Sequence, residues 1–405
     1  MSTIPADFLM QEFVLGGGRA VLEERRAAAS KWQASARTLD LARREPWIML
    51  GTDSRFTGTE AVRLSEGAAV AELAVQFTVP EGTIRQWAND GETLERSLPR
   101  LWERCREGLV APQNATEAAR VVADLPNEAR REFDRLIADV AMRLTPPKFR
   151  LKARALRERL HPTTPDARHA SAREQRRVWV EHDRDGMSWF GAYLPADVAH
   201  RAMQRLEMHA RALSRIPDEH RTSDQLHADV LGDLLAGRGS GLTTTVSLGI
   251  TIPALSLLDV GDESMPVLDG VGPIPVEMAK RLAGEAESFV RLLSDPIDGT
   301  VLDMEGRTRR IPKAMRRWLQ QRDRTCTFPG CNRPAVDADV DHTEDVQYGG
   351  VTASGNLAHL CRKHHTLKHK TSWRYVQVKA AASPRLNTTW TSPLGHSSGN
   401  DPPPF

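Results

Sequence analysis

The sequence predicts a multidomain α+β protein with a mainly helical N-terminal region, an α+β middle region and a small metal-stabilised module near the C-terminus. Ala-, Leu- and Arg/Glu-rich stretches with helical spacing fill most of the first 160 residues. Alternating apolar segments begin near residue 178, and three of the four cysteines cluster between Cys326 and Cys361. A chain of 405 residues is also too long for one small core, so two or three domains are expected.

The overall composition is that of a soluble globular protein. Hydrophobic residues make up 40% of the chain and charged residues 27%. The sequence has no apolar run of about 18 residues that would span a membrane. The N-terminus also lacks the basic start and apolar core of a signal peptide, so we expect a cytoplasmic protein without membrane contact.

Charge is distributed unevenly along the chain. The formal net charge is only +2, but basic residues clearly outnumber acidic ones between Glu305 and Lys379. A locally basic region indicates a phosphate-bearing partner, for which DNA is our prediction.

Residues 1–160 are predicted to form the helical domain. Val21–Arg43 and Ala115–Leu144 carry helical spacing, and Leu125-Pro126 marks a boundary within the second stretch. The basic run Lys148–Arg159 is a connector or an exposed helix, and a solvated face is the more frequent role of such a run than nucleic-acid contact.

The segment Ala69–Ala88 within this domain resembles a helix-turn-helix. In that interpretation Thr83, Arg85 and Gln86 would face DNA. Thr78 stands where the turn usually has glycine, and the alternative is simply two packed helices of a bundle.

Residues 170–304 are predicted to form the α+β middle region, after a polar linker from His161 to Arg177. A hairpin is expected around Asp185-Gly186, because apolar residues alternate on both sides of this turn. The remaining predicted elements are helices at Pro195–Ser214, Leu226–Leu235 and Pro275–Leu282, a β-rich stretch at Thr243–Ile252 and a hairpin at Phe289–Leu302.

Residues 305–380 are predicted to form the C-terminal module, which a helix from Pro312 to Arg322 introduces. After Lys379 the composition turns to Ser, Pro, Gly and Asn, so a disordered tail is expected over 381–405.

The clustered cysteines predict a structural zinc site. Cys326 and Cys331 flank a Pro-Gly turn that can direct both thiolates at one ion, and Cys361 and His364 supply a second pair. In a reducing compartment, cysteines at this spacing are better explained as metal ligands than as disulfides. A Cys₃His set suits zinc, which would supply much of the folding free energy of so small a module.

A second group of polar residues is left over by that assignment: Asp341, His342, Asn356, His365 and His369. On a helix, His365 and His369 lie about 40° apart and about 90° from the zinc-ligand pair, so one helix can serve two ions. His365 and His369 can then hold a second, divalent metal, to which Asp341 could add an oxygen ligand. His342, next along an extended segment, would point the other way from Asp341.

A hydrated divalent ion beside a free imidazole is an arrangement that cleaves phosphodiesters. The metal would neutralise charge on the phosphate and stabilise the leaving oxygen, while His342 removes a proton from water. The side-chain amide of Asn356 is suited to fix the base or the loop that carries it.

The same residues resemble a known motif. DH at Asp341-His342, GG at Gly349-Gly350, NL at Asn356-Leu357 and LCRKHH at Leu360–His365 are similar to the HNH endonuclease motif in its zinc-stabilised ββα-metal form. The resemblance implies a β-hairpin and helix that grip a metal, and cleavage of DNA.

The resemblance also implies residue roles. His342 matches the general base, Asn356 the middle asparagine, His365 the final histidine and Asp341 a metal ligand, whereas His369 matches a histidine that only some members use. His364 stands where many zinc-bearing members have cysteine. The run from Asp295 to Cys331 and the regions before it resemble actinobacterial proteins in which a domain of unknown function, number 222, precedes an HNH domain.

The sequence therefore predicts a metal-dependent DNA endonuclease with a structural Zn²⁺ and a catalytic divalent metal, Mg²⁺ or Mn²⁺, with Zn²⁺ or Ni²⁺ as further choices. The main alternative is a zinc-stabilised DNA-binding protein without catalytic activity. A third interpretation treats Asp341, His342 and Asn356 as ordinary loop residues near a zinc ribbon.

Overall fold

The computed structural model describes residues 6–161, 163, 165–235, 250–252, 265–268, 271–284, 311, 313–378 and 387–399. The chain divides into two compact units, one of Met1–Pro162 with Val290–Pro404 and the other of Thr163–Phe289. The structure is mainly helical with some small sheets. None of the helices in the described ranges combines the length and hydropathy that a bilayer-spanning helix needs.

The described N-terminal part of the first unit consists of helices and the loops between them. Its helices are α1 (Ala6–Arg44), α2 (Trp47–Leu50), α3 (Gly58–Phe77), α4 (Glu81–Ser97), α5 (Pro99–Arg106), α6 (Pro112–Val121), α7 (Asn127–Ala141) and α8 (Pro146–Leu160). Proline stands in the first turn of α5, α6 and α8, where its missing N–H removes no helical hydrogen bond. The predicted break at Leu125-Pro126 falls between α6 and α7.

The basic run Lys148–Arg159 lies within α8, so the helix alternative applies. Phe149, Ala153 and Leu156 are buried at helical spacing against the core of the bundle. Arg154 on the outer side donates to Glu117 at 3.3 Å. The basic residues of the run therefore form the solvated side of a packed amphipathic helix.

The turn between α3 and α4 has the chain path of the predicted helix-turn-helix. Thr78 adopts the left-handed conformation usually taken by glycine, with φ of 53°. Two of the three predicted DNA-facing side chains already have partners: Arg85 pairs with Glu66 at 3.1 Å, and Gln86 donates to Asp90 at 2.8 Å. These contacts favour the alternative of two packed helices.

The second unit contains a hairpin and short paired strands with helices. Its elements are α9 (Pro165–Glu174), β1 (Arg177–His182), β2 (Ser188–Tyr193), α10 (Ala196–Leu213), α11 (Ser223–Leu235), β3 (Ile250–Thr251), β4 (Val267–Leu268), β5 (Gly272–Pro273) and α12 (Val276–Gly284). β1 and β2 pair antiparallel around Asp185 and Gly186, both with positive φ, which confirms the first predicted hairpin.

Part of this unit differs from the sequence prediction, and part lies outside the described residues. The predicted polar linker His161–Arg177 contains a helix, since α9 occupies Pro165–Glu174. The polar composition of that stretch matches an exposed helix as well as a coil. The predicted hairpin at Phe289–Leu302, and most of Thr243–Ile252, lie outside the described residues.

The C-terminal part of the first unit contains a hairpin, two helices and a three-stranded sheet. Its elements are α13 (Lys313–Asp323), β6 (Asp339–His342), β7 (Leu357–Leu360), α14 (Arg362–Lys370), β8 (Arg374–Val378), β9 (Asn387–Thr391), β10 (Ser397–Gly399) and short 3₁₀ helices at Ala335–Asp337, Val346–Tyr348 and Ser354–Asn356. β6 and β7 pair antiparallel, with Asp341 opposite Ala358 and His342 opposite Leu357. The larger sheet has the order β10-β9-β8.

The predicted disordered tail is wrong for residues 387–399. β9 pairs with both β8 and β10, and Trp390 on β9 is completely buried. The burial of this large aromatic side chain stabilises β9. It outweighs the Ser-, Pro-, Gly- and Asn-rich composition from which disorder was predicted.

The helical region and the C-terminal module share a core rather than forming separate domains. Leu39, Ala71 and Ile84 from the helices belong to the same buried cluster as Leu367 and Trp373 from the module. Backbone and side-chain contacts reinforce this packing, since the N–H of Ser372 donates to the carbonyl of Met49 at 3.1 Å.

Candidate metal centres

The four predicted zinc ligands converge on one point. The sulfur atoms of Cys326, Cys331 and Cys361 and a ring nitrogen of His364 all lie within 4.8 Å of one another. His364 Nδ1 is 3.4 Å from Cys326 Sγ and 3.3 Å from Cys361 Sγ. Ligands of a tetrahedral zinc ion are about 3.5 Å apart at ordinary Zn–S and Zn–N bond lengths, so the four residues fit this ion.

Local structure explains the convergence. Gly330, with φ of 73°, turns the chain between Cys326 and Cys331, and the N–H of Cys331 donates to the carbonyl of Phe328 at 3.1 Å. Cys361 is the residue before α14, and His364 lies in the first turn of that helix. The second pair of ligands is therefore presented from one helical turn, as the three-residue spacing predicts.

Contacts within the cluster shift the pKa of Cys326, Cys361 and His364. Hydrogen bonds from Cys326 and Cys331 lower the pKa of Cys361, whereas hydrogen bonding within the same cluster and burial raise the pKa of Cys326. Burial lowers the pKa of His364, but hydrogen bonds to Cys331 and Cys361 outweigh it and the net shift is upward. A divalent ion would let all three thiols ionise together.

The imidazole of His364 is held on three sides. Its ring stacks on Phe328 with centroids 3.9 Å apart and an interplanar angle of 17°. Its Nδ1 faces the thiols, and its Nε2 lies 3.1 Å from Oε1 of Glu81, the first residue of α4. Lys363 pairs with the other carboxylate oxygen of Glu81. The sequence interpretation did not identify Glu81, because residue spacing does not predict a contact between positions 283 residues apart.

A second group joins Asp341, His365 and His369, whose ligand atoms also lie within 4.8 Å of one another. His369 Nε2 is 3.3 Å from both carboxylate oxygens of Asp341, and His365 Nε2 is 3.4 Å from one of them. Burial raises the pKa of Asp341, but hydrogen bonds from His365, His369 and Lys368 outweigh it and hold the pKa far below its usual range. The carboxylate is therefore ionised and surrounded by groups that favour its charge.

Lys368 is an additional member of this group that the sequence interpretation missed. Its ammonium lies 2.7 Å from Oδ2 of Asp341 and also donates to the carbonyl of His342. The side chain is only 9% exposed, so it is part of the site rather than a surface charge. Its position three residues after His365 on α14 is the signal that could have revealed it.

His342 and Asn356 lie at opposite ends of the loop between β6 and β7. His342 Nε2 is 3.0 Å from the hydroxyl of Thr352. The Asn356 amide accepts from the N–H of Glu344 at 2.8 Å and donates to the carbonyls of Glu344 and Val351 at 3.0 and 2.9 Å. Asn356 thus clamps the loop that follows His342.

A glycine makes this clamp feasible. A Cβ atom on Gly350 would lie 1.8 Å from the carbonyl oxygen of Glu344 and 2.9 Å from Nδ2 of Asn356. The backbone at Gly350 lies so close to the backbone at Glu344 that there is no room for a side chain at this position.

A buried network ties α13 to the far end of the same loop. Arg322 donates to the carbonyls of Ser354 and Leu357 at 2.6 and 2.5 Å, on both sides of Asn356. Asp323 accepts from the backbone N–H and lies 3.0 Å from ring Nδ1 of His359 on β7. These residues, which the sequence interpretation did not identify, hold β7 and the loop that ends at Asn356. β7 in turn pairs with β6, the strand that carries Asp341.

A cleft of about 770 Å³ opens beside this second group. Lys368, His369 and Asn356 line the cleft, together with the exposed Tyr348 and Arg374. The cleft reaches the second group at His369, whereas Asp341 and His365 do not line it.

The fold and sites define a mainly helical protein whose C-terminal part carries a Cys/His cluster that could hold a metal ion. The chain belongs to the family described as Domain of unknown function (DUF222), whose model matches residues 19–323. No HNH family model matches the chain.

Curated relatives are proteins of Mycobacterium tuberculosis. Uncharacterized protein Rv3776 of strain H37Rv is 45% identical over 80 residues, 20% of this chain and 14% of that protein. Uncharacterized protein Rv2100 of the same strain is 44% identical over 80 residues with the same coverage of both chains. Uncharacterized protein Rv1702cMb1728c is 24% identical over 278 residues, 62% of this chain and 59% of that protein. This chain thus covers less than two thirds of each relative's length. No solved structure matches the chain.

Proposed function

We propose that the C-terminal module is a metal-dependent endonuclease of the HNH type that hydrolyses phosphodiester bonds in DNA. The observation that carries this proposal is the convergence of Asp341, His365 and His369 beside an independent Cys₃His cluster. A purely structural zinc ribbon has no need of this second group. Its arrangement on a β-hairpin and the following helix matches what the sequence motif implies.

The donor set fits a divalent metal. One carboxylate and two imidazoles suit Mn²⁺, Ni²⁺, Co²⁺ or Zn²⁺ better than Mg²⁺, which prefers oxygen ligands. Such an ion, when bound, would stabilise negative charge on the phosphate and on the leaving oxygen. Asp341 would supply the negative charge of the site, and His365 and His369 would bind through neutral ring nitrogens.

The chain's own residues would carry out the proton transfer and positioning. His342, held by Thr352, is the proposed base that takes a proton from the attacking water. Asn356 keeps the loop after His342 closed through its three hydrogen bonds. Arg374 lines the cleft together with Glu344 and Asp345 and is the proposed contact for a phosphate of the DNA backbone, whereas the ammonium of Lys368 is held by Asp341.

Cleavage of supercoiled plasmid tests this function. The purified protein is incubated with plasmid and Mg²⁺, Mn²⁺, Co²⁺, Ni²⁺ or Zn²⁺, and nicked and linear products are measured. We expect cleavage by the wild type, faster with the transition metals than with Mg²⁺. His342→Ala should lower the rate by about 10²- to 10⁴-fold, the usual contribution of a general base.

His220→Ala is the matched control, because His220 lies in the second unit, and it should cleave like the wild type. Equal cleavage by His342→Ala would remove His342 from the role of base. A wild-type protein that binds the plasmid but leaves it intact with every metal would instead support the alternative of a zinc-stabilised DNA-binding protein without catalysis.

A further inference from the structure

Glu81 joins the helical region to a metal-ligand side chain. It is the first residue of α4, and its Oε1 lies 3.1 Å from Nε2 of His364. The opposite ring nitrogen, Nδ1, faces the three thiols. One imidazole therefore lies directly between the candidate zinc position and a carboxylate from a distant part of the chain.

We propose that Glu81 is a positioning residue of the Cys₃His centre, and that the helical region thereby raises the affinity of this centre for zinc. The inference rests on metal binding by the four ligand atoms and is independent of DNA cleavage. It makes the zinc site a property of the whole first unit, rather than of the C-terminal module alone.

The chemical reason lies in the two nitrogens of the ring. A carboxylate that accepts a hydrogen bond from Nε2–H leaves Nδ1 as the unprotonated nitrogen that can bind a metal. The same hydrogen bond fixes the ring orientation and makes Nδ1 a stronger donor. Outer carboxylates of this kind typically change metal affinity by about 10- to 100-fold.

The surroundings of Glu81 favour an ordered carboxylate. Its side chain is only 18% exposed, so water competes weakly for its oxygens. The amino end of α4 also stabilises negative charge at this position. Lys363 pairs with the second carboxylate oxygen, which leaves Oε1 directed at His364.

A simpler explanation is that Glu81 only helps to dock α14 on the helical region. The chain offers a matched control for this explanation. Glu60 on α3 pairs with Lys370 on α14 at 3.0 Å, an ion pair that also joins the helices to α14 but touches no metal ligand. Removal of Glu60 measures the effect of lost docking without a change in the environment of His364.

Zinc affinity is measured by competition with a chromophoric chelator, using the full chain. We expect Glu81→Ala to bind zinc about 10- to 100-fold more weakly than the wild type. Glu60→Ala should change the affinity by less than about threefold, as expected for an exposed ion pair. Glu81→Gln keeps the size and an acceptor oxygen but loses the charge, so its affinity should lie between those of the wild type and Glu81→Ala.

A second background separates the positioning role from docking. In His364→Cys the fourth ligand is a thiolate, which has no ring N–H that could donate a hydrogen bond to Glu81. Glu81→Ala should therefore weaken zinc binding in the His364 protein but change it by less than about threefold in the His364→Cys protein. The Co²⁺ absorption spectrum of Glu81→Ala should keep the wild-type ligand-field bands, because its four ligands are unchanged.

Three results would overturn the inference. Unchanged zinc affinity in Glu81→Ala would show that the carboxylate has no role at the centre. An equal loss in both the His364 and the His364→Cys proteins would assign the effect to docking. A wild-type protein that binds no zinc would remove the metal assignment itself, whereas a protein that binds zinc but does not cleave DNA leaves this inference intact.

Discussion

Asp90 is a buried carboxylate whose environment opposes its charge. The residue is 1% exposed, and burial raises its pKa to about 6 despite a hydrogen bond from Gln86. In the unfolded chain an aspartate titrates near pH 3.9. The folded state thus holds the proton more tightly, so this group contributes stability that is present below about pH 4 and is lost as pH rises towards 6.

Asp90→Asn should therefore stabilise the protein at neutral pH. Asparagine keeps the oxygen that accepts from Gln86 but carries no charge to desolvate. We expect a gain of about 1 to 3 kcal/mol in the free energy of unfolding at pH 7.5 and almost none at pH 4, measured by urea denaturation. The exposed Asp53→Asn is the control, and an equal effect of Asp90→Asn at both pH values would contradict the burial argument.

At the scale of elements, β9 supports the Cys₃His cluster although it lies within the segment where disorder was predicted. Trp390 on β9 is completely buried and contacts Tyr375 and Phe328, with ring centroids 4.5 and 5.0 Å away. Phe328 in turn stacks on the ligand His364. The strand is thus one layer of the packing behind the Cys₃His cluster.

Trp390→Ala should destabilise the first unit by about 3 to 5 kcal/mol, because it leaves a large cavity in this aromatic cluster. Thermal and urea unfolding measure the change. Trp390→Phe is the matched variant, since it keeps most of the apolar ring and removes an indole N–H that has no hydrogen-bond partner among the described residues. If Trp390→Ala unfolds like the wild type, β9 does not support the module in solution.

At the scale of the whole molecule, the shared core predicts that metal and helices are coupled. Cys326 and Cys361 belong to the same buried cluster as Ala71 and Ile84 of the helical region. Loss of the metal should therefore loosen not only α14 but also the buried side of α3. The second unit has its own contacts and is not expected to respond.

Hydrogen exchange of the full chain, with and without a zinc chelator, measures this coupling. Amides in α3 around residues 68–74 and in α14 should exchange at least about tenfold faster without zinc, a loss of roughly 1.4 kcal/mol in protection. Amides of α10 and α11 serve as the internal control and should not change. Unchanged exchange in α3 would show that the helices are stable independently of the metal centre, and Cys326→Ser should reproduce the effect of the chelator.

Much of the two candidate metal-ligand groups could be predicted from local sequence, for a physical reason. Cys361, His364, His365 and His369 lie within three turns of one chain segment, so helical geometry alone divides them between two groups. The Pro-Gly turn between Cys326 and Cys331 is equally local. The helical stretches and the first hairpin were predictable because their periodicity is also a property of neighbouring residues.

Only the tertiary structure could reveal the contacts between distant surfaces. The Glu81 carboxylate on His364, the burial of Trp390 and the core shared by the helices and the module depend on how formed elements pack. Neither residue spacing nor composition predicts which faces of the helices and strands pack together, because packing depends on the shape and chemistry of both surfaces. Local spacing is thus enough to predict which residues could bind metal, whereas packing between distant elements sets which parts of the molecule hold those residues in place.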